Sequence, residues 1–320
     1  MAGPDPLEGH GGNFYLWKYV PSLAAAVIFA LFFLLATLLH IHRIIKASTP
    51  RPWFCVWFVI GGLMEVIGYI GRVISHNSTG KLMPYIIQNT FLLLPPVLFA
   101  ATVYMVLGRI IIHANGESYS LIKVKYMTFT FVMGDVLSFC VQGGGAGIMV
   151  RGDGSNAAMG EKMIVGGLLI QIIVFGFFIV TAAVFHWRWY QQHGSVGGPV
   201  AAYRSGESEE GTTTEKWKKL MFMLYGVSAL IMVRSLFRVA EFAMGQDGYL
   251  LANEWPLYVF DSVLMLGVMV AFYLWHPVLL QDGSGPGGRQ RIRSGASLEE
   301  SGNGTELKER DGKYLRSYGQ

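Results

Sequence analysis

Residues 20–41 read VPSLAAAVIFALFFLLATLLHI, a run that contains no Asp, Glu, Lys or Arg. A bilayer's hydrocarbon core is about 30 Å thick, so a helix of roughly 20 apolar residues crosses it. Six more stretches of this kind follow, at 52–74, 84–112, 124–148, 163–187, 219–241 and 256–276. Lipid offers the backbone no hydrogen-bonding partner, so each stretch must satisfy its own N–H and C=O groups, which a helix does. The predicted fold is all-α, a seven-transmembrane helix bundle. The predicted division is a short extracellular segment at 1–19, a membrane domain at 20–277 and a disordered basic cytoplasmic tail at 278–320.

Composition points the same way. The chain has 320 residues, 52% of them hydrophobic and 14% charged, with mean hydropathy +0.41. A soluble domain carries about 25% charged residues. The distribution of positive charge sets an expected orientation. Of the 25 Lys and Arg residues, 18 fall in the first, third and fifth loops and the tail, from Arg43, Lys46 and Arg51 to Arg316. The opposite side holds Lys18, Arg72, Lys81, Arg151 and Lys162. Positive charge favours the cytoplasm, so the N-terminus is predicted outside and the C-terminus inside. The first apolar run is too long for a signal-peptide core and follows an acidic segment, so it reads as a first span that is not cleaved.

The chemistry of the chain lies in polar residues inside the spans, where a charge is expensive and normally faces the bundle interior or a water-filled cavity. Glu65 and Arg72 stand seven residues apart on one face of the second span. Asp135, Ser138 and Gln142 share a face of the fourth, and Gln171 lies in the fifth. Gln88 and Tyr104 belong to the third span. Arg234, Arg238 and Glu241 form a stripe on the sixth, and Asp261 lies in the seventh, preceded by Glu254. These residues either pair with one another and lock the bundle, or line a polar cavity open to the outer side. The second reading is preferred, and it makes Glu65, Arg72, Gln88, Asp135, Gln142, Gln171, Arg234, Arg238, Glu241 and Asp261 the candidate substrate-binding set.

Other signals are weaker. His40, His42, His113, His186, His193 and His276 fall at predicted cytoplasmic ends of spans, where they read as interfacial side chains. No two histidines have H-x-x-x-H spacing, so neither a metal nor another cofactor is expected. Pro95-Pro96 interrupts the third span and predicts a kink. Gly143-Gly144-Gly145-Ala146-Gly147 is followed by no Lys-Ser/Thr and is no nucleotide loop; it predicts either close helix packing or an unwound segment. Asn77-Ser78-Thr79 is a glycosylation sequon on the predicted outer side, pressed between two helix ends, which argues against its use.

Taken in order, these motifs resemble a known family. They are Glu65-Val-Ile-Gly68-Tyr69-Ile-Gly-Arg72, Gln88 with Leu92-Leu-Leu-Pro95-Pro96, Tyr104 with Leu107-Gly108-Arg109, and Asp135-Val-Leu-Ser138 with Gln142. Gly167-Leu168 with Gln171, Arg234-Ser-Leu-Phe237-Arg238 with Glu241, and Glu254, Tyr258, Asp261 and His276-Pro277 follow. The chain resembles the fungal lipid-translocating exporters, the RTA-like seven-transmembrane proteins, from about residue 65 to 277. That resemblance implies movement of, or resistance to, amphipathic molecules at the plasma membrane, with sphingoid long-chain bases, sterols and porphyrins as associated substrates. It implies lipid-like partners and no nucleic acid, and it supplies no catalytic residues.

Two other readings compete with this one. A seven-span receptor or stress sensor that regulates lipid handling without transport has the same topology. The third span lacks Asp/Glu-Arg-Tyr after Leu107, however, and the seventh lacks Asn-Pro-x-x-Tyr. An intramembrane hydrolase needs His, Asp and Ser gathered around a metal. Here the histidines and the carboxylates lie at different depths, so no enzyme activity is expected.

Overall fold

The computed structural model describes residues 19–47, 53–77, 79–114, 116–151, 154–194, 208–245 and 248–275. The predicted tail, the segment before Tyr19 and the His276-Pro277 motif lie outside them. Helix α1 spans Leu23–Lys46, capped by Ser22, whose hydroxyl accepts from the Ala25 N–H. A 3₁₀ turn, Trp53–Cys55, leads into α2, Val56–His76. The third apolar stretch is two helices, α3 (Leu82–Leu93) and α4 (Pro95–His113). Then come α5 (Val124–Arg151), α6 (Gly154–Gly194) and α7 (Ser208–Ala243). The short helices α8 (Tyr249–Ala252) and α9 (Trp255–Leu257) lead to a π-helical turn, Tyr258–Val263, and α10, Leu264–Leu274. Seven helical spans are long and apolar enough to cross a bilayer. The protein is an integral, multi-pass membrane protein.

Burial is inverted relative to a soluble protein. On α2 the residues turned inward are Gly61, Gly62, Glu65, Gly68, Tyr69 and Arg72, while Trp57, Leu63, Ile67, Ile70 and Ile74 are exposed. Lipid is as apolar as leucine, so helices in it associate through small residues and polar groups rather than by hiding leucines. The spans pack in sequential order, with α1 against both α2 and α10, and α7 against both α6 and α10. The third span is the most enclosed of the seven. It touches α2, α5 and α7.

Three sequence expectations change. The fifth span was bounded at 163–187, but α6 runs 41 residues, about 60 Å at 1.5 Å per residue. The sixth was bounded at 219–241, and its helix begins at Ser208. The glycine run 143–147 is helical throughout, so close packing is the reading that holds: a Cβ on Gly145 would lie 2.7 Å from the Gly160 carbonyl oxygen. His40 is not interfacial. It is 1% exposed, donates from Nδ1 to the Ala36 carbonyl at 2.8 Å and stacks on Phe58 and Phe272.

Candidate functional site: a buried ion network beside an apolar cleft

All ten candidate residues are buried, Gln171 being the most exposed at 8%. The structure sorts them into four groups.

The first group clasps one end of the bundle. Arg72 pairs with Glu254 at 2.7 Å and donates to the hydroxyls of Tyr258 (3.0 Å) and Tyr19 (3.1 Å) and to the side-chain oxygen of Gln88 (3.3 Å). The same Glu254 oxygen accepts from the Ser22 N–H and from the Tyr258 hydroxyl. A guanidinium offers five donors in a rigid fork, which is why one arginine can hold four partners. Burial pushes the Tyr19 phenol above its ordinary pKa, outweighing the pull of the Arg72 charge.

The second group joins the sixth and seventh spans. Arg234 forms an ion pair with Asp261, though its Nε and the facing carboxylate oxygen do not make a well-aligned hydrogen bond. The second arm of Arg234 donates to the Leu92 carbonyl at 2.7 Å. That carbonyl is the one Pro96 would cap if it had an N–H, because α-helical bonds run from residue i to i−4. One turn further along α7, Arg238 pairs with Glu241 at 2.6 Å and lies 5.1 Å from the centre of the Phe242 ring. Glu65 lies within electrostatic reach of Asp261 and Arg234.

The third group seams α5 to α6. Gln142 donates to Ser138 (2.8 Å) and to the side-chain oxygen of Gln171 (3.0 Å), and Ser138 donates to the Gly167 carbonyl at 2.6 Å. Asp135 forms the fourth group, accepting from the Tyr104 hydroxyl at 2.8 Å. Tyr104 itself lies in a cluster of Phe131, Phe175 and Phe178. Asn77 closes α2 and is exposed, but Thr79 of its sequon is 3% exposed.

Beside these groups lies a cleft of about 900 Å³ between α3, α5, α6 and α7. Its walls are mostly apolar, with Leu82, Leu93, Phe139, Ile164 and Phe242 among them. Uncharged polar groups come from Tyr85, Asn89, Thr90 and Gln142. Gly143, Gly144 and Gly147 bring bare backbone to its surface. Of the ten candidates, Gln142 lines this cleft; the other nine belong to the packed interior. Sequence reasoning passed over Tyr85, Asn89 and Thr90. The polar run Gln88-Asn89-Thr90 within an otherwise apolar span is the signal that marks that face.

Residues 58–284 match the family model described as RTA1 like protein. Protein RTM1 of Saccharomyces cerevisiae is 33% identical to this chain, over 83% of it and 92% of that protein. Protoporphyrin uptake protein 1 of the same yeast is also 33% identical, over 81% of this chain and 91% of its own length. The yeast sphingoid long-chain base transporter RSB1 is 27% identical, over 75% of this chain and 68% of that protein. No solved structure matches. With its seven spans, its ordered polar motifs and a family match over most of its length, the chain belongs to the RTA1-like family.

Proposed function

We propose that this protein moves amphipathic molecules across the plasma membrane and is not an enzyme. The observation that carries the reading is the cleft. At about 900 Å³ it is in the upper range of sites that hold small ligands, roughly 300–1,000 Å³. Its lining suits a molecule with a long or flat apolar body and a hydrogen-bonding end. Two relatives carry names for such cargo, a sphingoid long-chain base and a protoporphyrin, and both classes are proposed here as substrates. The bias of Lys and Arg along the sequence supports an N-terminus outside, which places the cleft in the outer half of the membrane. The buried ion pairs then serve as the frame that holds the cleft's walls, with Gln142 as the candidate residue that reaches cargo.

The test is to reconstitute the full chain in phosphatidylcholine vesicles and follow transbilayer movement of a fluorescent sphingoid long-chain base. Gly143→Leu places a branched side chain in the cleft. A Cβ at residue 143 meets no atom within 4 Å, so the helix accepts it. Movement in the wild type should fall at least about tenfold in Gly143→Leu, an increase of about 1.4 kcal/mol in the barrier. Full movement in both Gly143→Leu and Gly147→Leu defeats the cleft as the path. No movement in the wild type defeats transport and favours a receptor or regulator.

A further inference from the structure

Among the described residues, the three buried arginines of the network are each matched by one carboxylate: Arg72 by Glu254, Arg234 by Asp261 and Arg238 by Glu241. Glu65 is a fourth carboxylate with no arginine of its own. It is 2% exposed, and its Oε1 has no hydrogen-bond partner. Asp135 also lacks an arginine, but it accepts a hydrogen bond from Tyr104.

The surroundings of Glu65 narrow what it can do. The adjacent turns of α2, through Gly61, Gly62 and Gly68, press on Leu98 and Phe99 of α4, Thr37 of α1, Met269 of α10 and Leu92 of α3. None of these titrates. On its own helix the next inward titratable residue is Tyr69, whose hydroxyl is bonded to Ser262. From α1 the nearest titratable side chain is His40, which stacks on Phe58, two turns back along α2. Ser262, the neighbour of Asp261, is bonded to Tyr69, and Leu92, whose carbonyl Arg234 holds, packs on Gly68, so the charges that act on Glu65 are Asp261 of the seventh span and Arg234 of the sixth. One guanidinium thus answers to two carboxylates. With both ionised, the cluster holds an uncompensated negative charge away from water, a costly state. A proton on Glu65 removes the excess and supplies an O–H donor.

We propose that Glu65 is a proton-binding site that sets the state of the Arg234–Asp261 pair. The carboxylate takes a proton from water to become a carboxyl group and later returns it; no other bond is made or broken. Protonated, Glu65 leaves Arg234 to Asp261. Deprotonated, it competes for the same guanidinium.

Two features make that competition mechanical. Asp261 sits in the π-helical turn Tyr258–Val263, and such single turns are frequent at functional sites in helices. Arg234 meanwhile holds the Leu92 carbonyl at the proline break of the third span. A shift of Arg234 toward Glu65 therefore loosens the seventh span at its π turn and the third span at its break together. The proton site stands apart from the cargo; its use to drive movement rests on the transport reading above.

The experiment titrates the full-length protein in phosphatidylcholine vesicles by infrared spectroscopy, reading the C=O stretch of protonated carboxyl groups between about pH 5 and about pH 9. The wild type should show carboxyl bands that grow as pH falls, and Glu65→Gln should lose one of them. Asp135→Asn should leave it in place. Glu65→Asp should keep a titrating band at a shifted frequency, which decides the matter if Glu65→Gln does not fold. A spectrum that Glu65→Gln leaves unchanged, a Glu65 band that fails to shift in Glu65→Asp, or one that does not titrate overturns the proposal. A second arm follows the fluorescent long-chain base at each pH. Its rate should track the band in the wild type and lose its pH dependence in Glu65→Gln. Since the band is read without cargo, a wild type that titrates yet moves no lipid defeats the transport reading and leaves the proton site standing.

Discussion

At the scale of single residues, glycines one or two positions apart in α5 have opposite roles. A Cβ on Gly145 would lie 2.7 Å from the Gly160 carbonyl oxygen and 2.9 Å from the Ile164 nitrogen. Both are backbone atoms of α6 and cannot swing away. Gly145→Ala should therefore push the helices apart and cost about 1–3 kcal/mol, the usual penalty for overpacking. Gly160→Ala, facing Gly145 and Met149 backbone at 2.6–2.7 Å, should cost as much. Gly143→Ala meets nothing and should gain up to about 1 kcal/mol of helix propensity. Thermal unfolding of the three variants in detergent checks this; equal midpoints for Gly145→Ala and Gly143→Ala would refute it. The sequence shows five small residues in a row and hence a packing face. It does not show which of them meets the neighbour, because that depends on where Gly160 falls on a helix 41 residues long. The charged side chains had the same limit. Spacing placed Arg234, Arg238 and Glu241 on one stripe, yet only the tertiary arrangement pairs Arg238 within the stripe and sends Arg234 to Asp261 and Leu92.

At the scale of elements, the proline pair is the most readable feature. Pro95-Pro96 divides the third span into α3 and α4, and the loss of an N–H at Pro96 explains why the Leu92 carbonyl is open to Arg234. Pro96→Ala restores that N–H, which then competes with Arg234 for Leu92. Pro96 lies in the first turn of α4, where proline is tolerated, so Pro96→Ala should unfold at the same or a slightly higher temperature. It should also slow lipid movement in vesicles, because the break no longer yields to Arg234. Unchanged movement together with raised stability would show that the break is only structural. The span count was legible because hydropathy reports bilayer thickness. The ends of α6 and α7 were not, for the same reason: residues 154–162 and 208–218 are helical yet too polar to score as membrane. The π turn has no sequence signature that periodicity detects, since it inserts a single residue into one turn.

At the scale of the whole molecule, the bundle has to close, bringing the last span against the first. Arginine contacts at opposite ends help to do this. Arg43 of α1 donates to the Tyr273 carbonyl, and its guanidinium lies 4.8 Å from the centre of the Tyr273 ring. At the other end Arg72 joins Tyr19, α2, Gln88 of α3, Glu254 and Tyr258. Arg72 is 0% exposed and Glu254 about 20% by side chain, so the two sides of the pair are not equal. Removing Arg72 takes the donor from four acceptors at once, among them the buried Gln88; removing Glu254 leaves a cation that still has three oxygens. Arg72→Ala should cost about 3–5 kcal/mol, the range for breaking a buried pair. Glu254→Gln should cost clearly less, since its amide oxygen still accepts and water reaches it. Arg72→Lys should rescue little, because an ammonium cannot present the planar fork that four separated oxygens require. Unfolding midpoints in detergent give the order, and cysteine accessibility at residue 22 shows where the bundle opens. Equal losses for Arg72→Ala and Glu254→Gln would mean that the single ion pair, rather than the arginine's full set of bonds, closes this end. If closure instead fails at the far end first, the Arg43–Tyr273 contact is the weaker seam. Arg43→Ala should then open the bundle there and leave the Arg72 clasp intact.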